Sequence, residues 1–396
     1  MTRLTLTLAD LWPTAAVRRD EPLRFDLREL SGSLGDLGTF LPLAVAMALT
    51  CGMDIGLIFI FAGLMNIVTG LIFRQPIPVQ PMKAIAAVAI AEGLSAGSIA
   101  ASGMLMGVAV FTLAIVGGVD WIARSIPKPV VRGIQAGVGV KLAWTGLHWL
   151  GALPAIGWDS WIVAGSVGAL MVLMIGRRQP VLLYVFAAGI ALAVLGGVRF
   201  NHHAVFAMPS PGVIVPTPEQ WWTGLTRGAI PQLPLTLLNS VIAVCALSGD
   251  YFPGRGIAPR RMAASVGLMN LLCVPFGGMP MCHGAGGLAA QHRFGARTGG
   301  SVVMLGVLKI AAGLLLGGAL LATLQHYPTS ILAVMVIVAG LTLARAAKDC
   351  LRGRSLMIVI AMTTLIVMVN TLTGFLAGCA VAAVFSLSDR TRSAEG

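Results

Sequence analysis

Apolar runs of about 17–25 residues follow one another along almost this whole chain, and such runs read as membrane-spanning helices. Glycine, proline and short basic clusters punctuate them. Composition leaves little alternative: 57% of the 396 residues are hydrophobic and 11% charged, against about 25% charged in soluble domains. Only helices or closed barrels satisfy their backbone in lipid, and these runs lack the alternation of barrel strands. The chain is therefore an all-α polytopic membrane protein whose first partner is the lipid bilayer. A net charge of +12 would suit nucleic-acid binding, but the basic residues are scattered singly between apolar spans. No nucleic-acid partner is expected.

Fourteen transmembrane segments are expected, at roughly 31–50, 55–73, 76–94, 98–118, 129–150, 160–176, 180–198, 231–249, 262–277, 279–293, 299–322, 328–346, 355–370 and 372–388. Residues 1–29 read as a polar cytoplasmic tail with an amphipathic stretch at Leu4–Trp12. Residues 30–198 hold seven spans, and 199–230 form an extracytoplasmic linker rich in proline with a Trp221-Trp222 anchor. Residues 231–388 hold seven more spans, and 389–396 close as a short cytoplasmic tail. Charge placement supports this count. With the N-terminus inside, every Lys and Arg falls on the cytoplasmic side except Arg199, Arg227 and the three intramembrane lysines Lys83, Lys141 and Lys309. The membrane implied is the cell (inner) membrane, with both termini cytoplasmic.

The two halves share four blocks in one order. Leu41-Pro42-Leu43 matches Leu233-Pro234-Leu235, and Gly63-Leu64-Met65-Asn66 matches Gly267-Leu268-Met269-Asn270. The segment Pro78-Val79-Gln80-Pro81-Met82-Lys83 matches Gly278-Met279-Pro280-Met281-Cys282-His283. Ser102 and Gly107 keep the Pro81–Pro280 offset to Ser301 and Gly306. Seven spans per copy place the copies in opposite orientations, a 7+7 inverted repeat. Paired proline-broken segments in such a repeat point to a transporter's binding site.

Those breaks lie in spans 3 and 10. Proline lacks an N–H and disfavours helix in the residue before it, so Val79-Gln80 and Met279 should be extended. Half-helices are then expected to start near Pro81 and Pro280, with proline in the first turn. Their facing N-termini carry free N–H groups and partial positive charge, which suits an anion. The sign of the intramembrane charge agrees. Lys83 has a substrate or electrostatic reading beside a snorkelling one, and so do Lys141 and Lys309.

Asp36 stands about two turns inside span 1 and reads as a gate, a proton carrier, a partner of Lys83 or a helix-start cap. His283 reads as an oxyanion donor, a coupling-proton carrier or a satisfied buried histidine. Gln80 is the best neutral ligand. Cys282 reads as a contact or as filler, and Asn239 and Ser240 as lining donors after the Pro234 break. Asn66 and Asn270 read as bridges between helices, and His202-His203 as solvated. The six cysteines (Cys51, Cys245, Cys273, Cys282, Cys350, Cys379) show no CxxC and no metal or disulfide framework. No cofactor and no metal are implied. Adjacent Cys282 and His283 diverge on a helix without a third orienting group, so the chain is not read as an enzyme.

Three segments carry a family resemblance: Gly35-Asp36-Leu37-Gly38-Thr39-Phe40-Leu41-Pro42, Pro76-Ile77-Pro78-Val79-Gln80-Pro81-Met82-Lys83 and Cys282-His283-Gly284-Ala285-Gly286-Gly287-Leu288 with Phe294-Gly295-Ala296-Arg297. They resemble the signature segments of the molybdate transporter family, a branch related to the SulP sulfate permeases. The resemblance spans roughly 25–388. It implies the inverted-repeat fold shared with uracil permease, with a core domain (spans 1–4 and 8–11) and a gate domain (spans 5–7 and 12–14). It also implies elevator-type alternating access, secondary active transport of molybdate or sulfate, and a homodimer. A proton or sodium ion is the co-ion to consider, and only about eight residues follow the last span where the sulfate permeases carry a STAS-type domain. The oxyanion ligands implied are the backbone N–H groups of Met82, Lys83, Cys282, His283 and Gly284, with the side chains of Gln80 and Lys83. A nucleobase or organic-anion permease and an anion channel are the other readings. The first is disfavoured by the lack of acids in spans 8 and 10.

Overall fold

The computed structural model describes residues 22–119, 121, 126–174, 181–196 and 209–394. Within them the chain forms fourteen helices, besides short 3-10 turns, and one pair of two-residue strands. The first half holds α1 (Leu27–Cys51), α2 (Ile55–Phe73), β1 (Gln80–Pro81), α3 (Lys83–Glu92), α4 (Ala96–Val116), α5 (Lys128–Gly151), α6 (Trp161–Leu173) and α7 (Val181–Leu195). The second holds α8 (Pro218–Tyr251), α9 (Pro259–Cys273), β2 (Met281–Cys282), α10 (Ala285–Phe294), α11 (Gly300–Gln325), α12 (Thr329–Ala344), α13 (Gly353–Met368) and α14 (Thr371–Ala394). By length and apolar composition, α1, α2, α4, α8 and the stretch Thr329–Cys350 are each able to cross a membrane. Each expected span meets one helix, and spans 3 and 10 meet the short ones. Leu4–Trp12 and His202-His203 lie outside the described residues.

Helix ends follow local chemistry. Asp26 caps α1, accepting from the N–H groups of Arg28 and Glu29 at 2.9 Å each, so α1 starts inside the expected tail. Thr217 caps α8 in a reciprocal box with Gln220, and this helix starts inside the expected linker. Residues 22–28 are mostly exposed, and Glu29 is the buried anchor of this segment. The buried Glu29 carboxylate accepts from the N–H groups of Arg297 and Thr298 at 3.0 Å. It thereby fixes the Phe294-Gly295-Ala296-Arg297 loop to the start of α1.

Small residues set the helix pairs, as expected where lipid removes the hydrophobic drive between helices. Helix α2 presents Gly56 and Gly63 to Gly313 and Gly306 of α11, and Gly70 to Gly299 in the turn just before it. A Cβ on Gly63 would stand 2.6 Å from the Gly306 carbonyl oxygen, and one on Gly306 would stand 2.5 Å from that of Gly63. Helix α4 lies along α9, and α5 along α12, where Gly139 and Gly340 meet in the same way. Renumbering each helix by seven turns the α2–α11 pair into α9–α4 and maps α5–α12 onto itself. The duplicated glycines are what the paired helices require.

Both proline-broken segments are extended, and they pair with each other. Strands β1 and β2 run antiparallel with Gln80 opposite Cys282 and Pro81 opposite Met281. The Met82 N–H donates to the Pro280 carbonyl at 2.9 Å, so Pro81 sits in a non-hydrogen-bonded position where its missing N–H costs no ladder bond. This corrects the expected helix starts. The half-helices begin at Lys83 and Ala285, not at Pro81 and Pro280, because Pro81 belongs to β1 and Pro280 stands just before β2.

Candidate anion-binding site

The strand pair delivers α3 and α10 with their N-termini at one place, beside a cavity of about 10 Å³. That is room for about one water. Gln80, Lys83, Cys282 and Gly284 line it from the two breaks, and Asn239, Ser240, Gln232 and Leu235 line it from α8. Gln135 of α5 and Leu343 of α12 close the opposite wall. Six of the expected site residues are thus brought together. The Lys83 side chain has no hydrogen-bond or ion-pair partner among the described residues. Its ammonium adds to about half a positive charge at each helix N-terminus, a total near that needed to balance a dianion.

Met82 and His283 stand outside this wall. Met82 is fully buried, and its N–H is already taken by Pro280. His283 is fully buried too, with Nδ1 2.9 Å from the Pro78 carbonyl oxygen and Nε2 3.0 Å from Ser265 Oγ. A carbonyl only accepts, so Nδ1 carries the proton, and Nε2 is free to accept from the serine hydroxyl. In this arrangement His283 spends both nitrogens tying the β1 approach to α9, which is the satisfied-histidine reading. Asn270 does similar work. Its side chain accepts from the Met281 N–H at 2.8 Å and donates to the Met281 carbonyl at 2.6 Å.

Behind the cavity lies a buried charged cluster. Gln80 Nε2 donates to Asp36 Oδ1 at 2.6 Å, while Gln80 Oε1 has no hydrogen-bond partner. Asp36 Oδ2 is 3.6 Å from Lys309 Nζ, and that ammonium donates to Asn66 Oδ1 at 2.9 Å. The same ammonium stands 3.7 Å from the centroid of the Phe40 ring, a cation–π contact. Asp36 is therefore neither a helix cap, which is Asp26, nor the ion-pair partner of Lys83. Its partner is Lys309, which the packing of α1 on α11 brings alongside.

Lys141 is drawn away from the cavity. It pairs with Glu92 at the end of α3, which also holds Arg227 at 3.3 Å.

Sequence reasoning did not single out Gln232 or Gln135. Gln232 Oε1 accepts from the N–H of Ala84 at 2.9 Å and of Ile85 at 3.4 Å. Gln232 immediately precedes the duplicated Leu-Pro-Leu block, which was the available signal. Gln135 accepts from Arg132, whose other nitrogen pairs with Asp349 at 2.9 Å. Gln135 was marked only by being polar in an apolar span.

Two broken helices whose starts line one cavity beside a lysine define a membrane transporter of the discontinuous-helix kind. The fold agrees. The transmembrane domain of a cyanobacterial bicarbonate transporter, BicA, matches with a TM-score of 0.67 at 16% identity, over 90% of this chain and 98% of that one. SLC26A9 matches with a TM-score of 0.67 at 14% identity, over 92% of this chain and 65% of that one. The chain belongs to the molybdate transporter family: the model described as "Molybdate transporter of MFS superfamily" matches residues 28–142 and 224–343. Molybdate transporter 1 of Arabidopsis thaliana is 35% identical over 90% of this chain and 87% of its own length. Molybdate transporter 2 of that plant is 36% identical over 85% and 82%. Molybdate transporter 1 of Chlamydomonas reinhardtii is 31% identical over 94% of each. The family description invokes the MFS superfamily, whose halves hold six helices each. The fold described here is instead that of BicA and SLC26A9.

Proposed function

We propose that this chain carries molybdate across the cell (inner) membrane as a secondary active, elevator-type transporter. One observation carries the reading: the Lys83 ammonium, without a hydrogen bond or a close ion pair among the described residues, lines a cavity beside the α3 and α10 N-termini. Helix N-termini and a lone ammonium favour an anion. Molybdate and sulfate are both tetrahedral dianions, and the names of the curated relatives favour molybdate. The wall formed by Gln80, Lys83, Asn239, Ser240, Cys282 and Gly284 is the proposed contact set. The Met82 N–H is left out because Pro280 holds it, and His283 is assigned a positioning role.

The helix pairings that interchange under a shift of seven support the 7+7 inverted repeat, with α1–α4 and α8–α11 as the moving core. Gln135 and Leu343 belong to the opposing gate, so the cavity lies between the two bodies that an elevator would slide. A cytoplasmic N-terminus follows from the charge asymmetry, and a homodimer through the gate from the family resemblance. Asp36, joined to the cavity through Gln80, is the proposed coupling group for a proton or sodium ion.

The test is uptake of radiolabelled molybdate into proteoliposomes, competed by sulfate, with and without a pH or sodium gradient. Saturable, gradient-driven molybdate accumulation is expected. Sulfate accumulation that molybdate cannot displace would move the substrate assignment to sulfate, and non-saturating flux would mark a channel.

A further inference from the structure

The two half-helices do not begin alike. Helix α3 starts after Met82, which offers no side-chain cap. Its first-turn N–H groups, at Ala84 and Ile85, are instead taken by the amide oxygen of Gln232. The amide is anchored by a second bond, Gln232 Nε2 to Thr236 Oγ1 at 3.0 Å. Gln232 is 1% exposed and lines the cavity. Helix α10 starts after Gly284 with no side-chain cap.

Free N–H groups at a helix start are the donors an oxyanion oxygen would use. At α3 a carbonyl oxygen of the protein already holds that place. The cavity as it stands has room for about one water, so a tetrahedral oxyanion enters only if a wall group moves. Gln232 sits on an irregular stretch of α8. Pro231 and Pro234 flank it, and the segments Gly224–Ala229 and Thr236–Ile242 on either side are π-helical. Proline removes backbone donors, and π turns loosen the i→i−4 ladder at functional positions.

We propose that Gln232 is a resident surrogate for a substrate oxygen: it caps α3 while the site is empty and swings off when the oxyanion arrives. The Ala84 and Ile85 N–H groups then pass from a neutral amide to a charged oxygen, a stronger acceptor. The empty carrier never leaves these buried donors unpaired, and substrate entry both frees them and makes room. This rests on the reading of the cavity as an oxyanion site.

The test uses the full chain in detergent, with equilibrium binding of radiolabelled molybdate and thermal unfolding without ligand. Gln232→Glu keeps a cap of the same shape but adds negative charge, which a helix start favours. It should unfold no lower than wild type while its apparent Kd for molybdate rises about tenfold or more. Gln232→Ala removes the competitor, so it should unfold lower when empty, yet bind molybdate at least as tightly as wild type. Thr236→Val, which releases only the anchor, should tighten binding by a few fold and decides the matter if both Gln232 variants fail to fold. Loss of binding in Gln232→Ala would make Gln232 a ligand rather than a surrogate. Wild-type affinity in Gln232→Glu, or unchanged or weaker binding in Thr236→Val, would make it a fixed cap. Either result overturns the proposal. Failure of the wild type to bind molybdate while binding another anion would count against the substrate reading instead.

Discussion

The break before α3 and the break before α10 share a proline-broken sequence pattern, yet their polar groups are placed differently. Around β2 the polar groups are spent on the frame. Asn270 holds both backbone groups of Met281, and His283 bridges Pro78 and Ser265. Around β1 they face charge. Gln80 reaches Asp36, and Lys83 stands open to the cavity. The matched asparagines diverge in the same way, because Asn66 accepts from an ammonium while Asn270 braces a strand. At one break the polar side chains turn to the cavity and the buried charges, and at the other they brace the strand pair, while Cys282 and Gly284 of the second break still line the cavity.

This contrast can be broken experimentally. The largest effect is expected at Lys83: Lys83→Ala should abolish molybdate uptake in proteoliposomes while expression and unfolding stay near wild type. Stability loss equal to the activity loss would make Lys83 structural. Next come the buried pair variants. Asp36→Asn or Lys309→Met alone leaves an uncompensated buried charge, which costs about 3–5 kcal/mol. The double variant should recover most of that stability in a thermal melt but not uptake. Singles that melt like wild type would mean that the pair carries no such burden.

On the frame side, Asn270→Ala strips two buried backbone groups of their partner, a loss of about 2–4 kcal/mol by the usual cost of unsatisfied groups. Asn66→Ala removes one acceptor from Lys309 and should cost less. Equal losses would erase the distinction between scaffold and site. The smallest effect is expected at Glu92→Gln, whose partly buried pairs with Lys141 and Arg227 lie away from the cavity. Molybdate affinity should shift by less than about twofold.

Much of this architecture was legible in the residues. Apolar run length marks helices because the bilayer sets their length, and proline marked the extended segments because it cannot donate. Gln80, Lys83, Cys282, Asn239 and Ser240 stood out because polar residues beside a break in lipid are rare, and Gly284 came with the family resemblance; all six line one cavity. What stayed hidden is contact across helices. Pairing between β1 and β2 moved the helix starts past Pro81 and Pro280, and no local pattern announces a partner in the other half of the chain. The direction of the His283 ring depends on Pro78, 205 residues away. Lys309 meets Asp36 only where α1 packs on α11, and Gln232 became a cap only through the fold.

The central claim is that the cavity between the two half-helix starts binds an oxyanion through Lys83. Equilibrium binding of radiolabelled molybdate to the purified chain, wild type against Lys83→Ala, addresses it directly. A charge-assisted hydrogen bond is worth about 1.5–3 kcal/mol, so the variant should bind about 10–150-fold more weakly, with the wild type saturable. Equal affinity in both proteins, each folded, would place the substrate elsewhere.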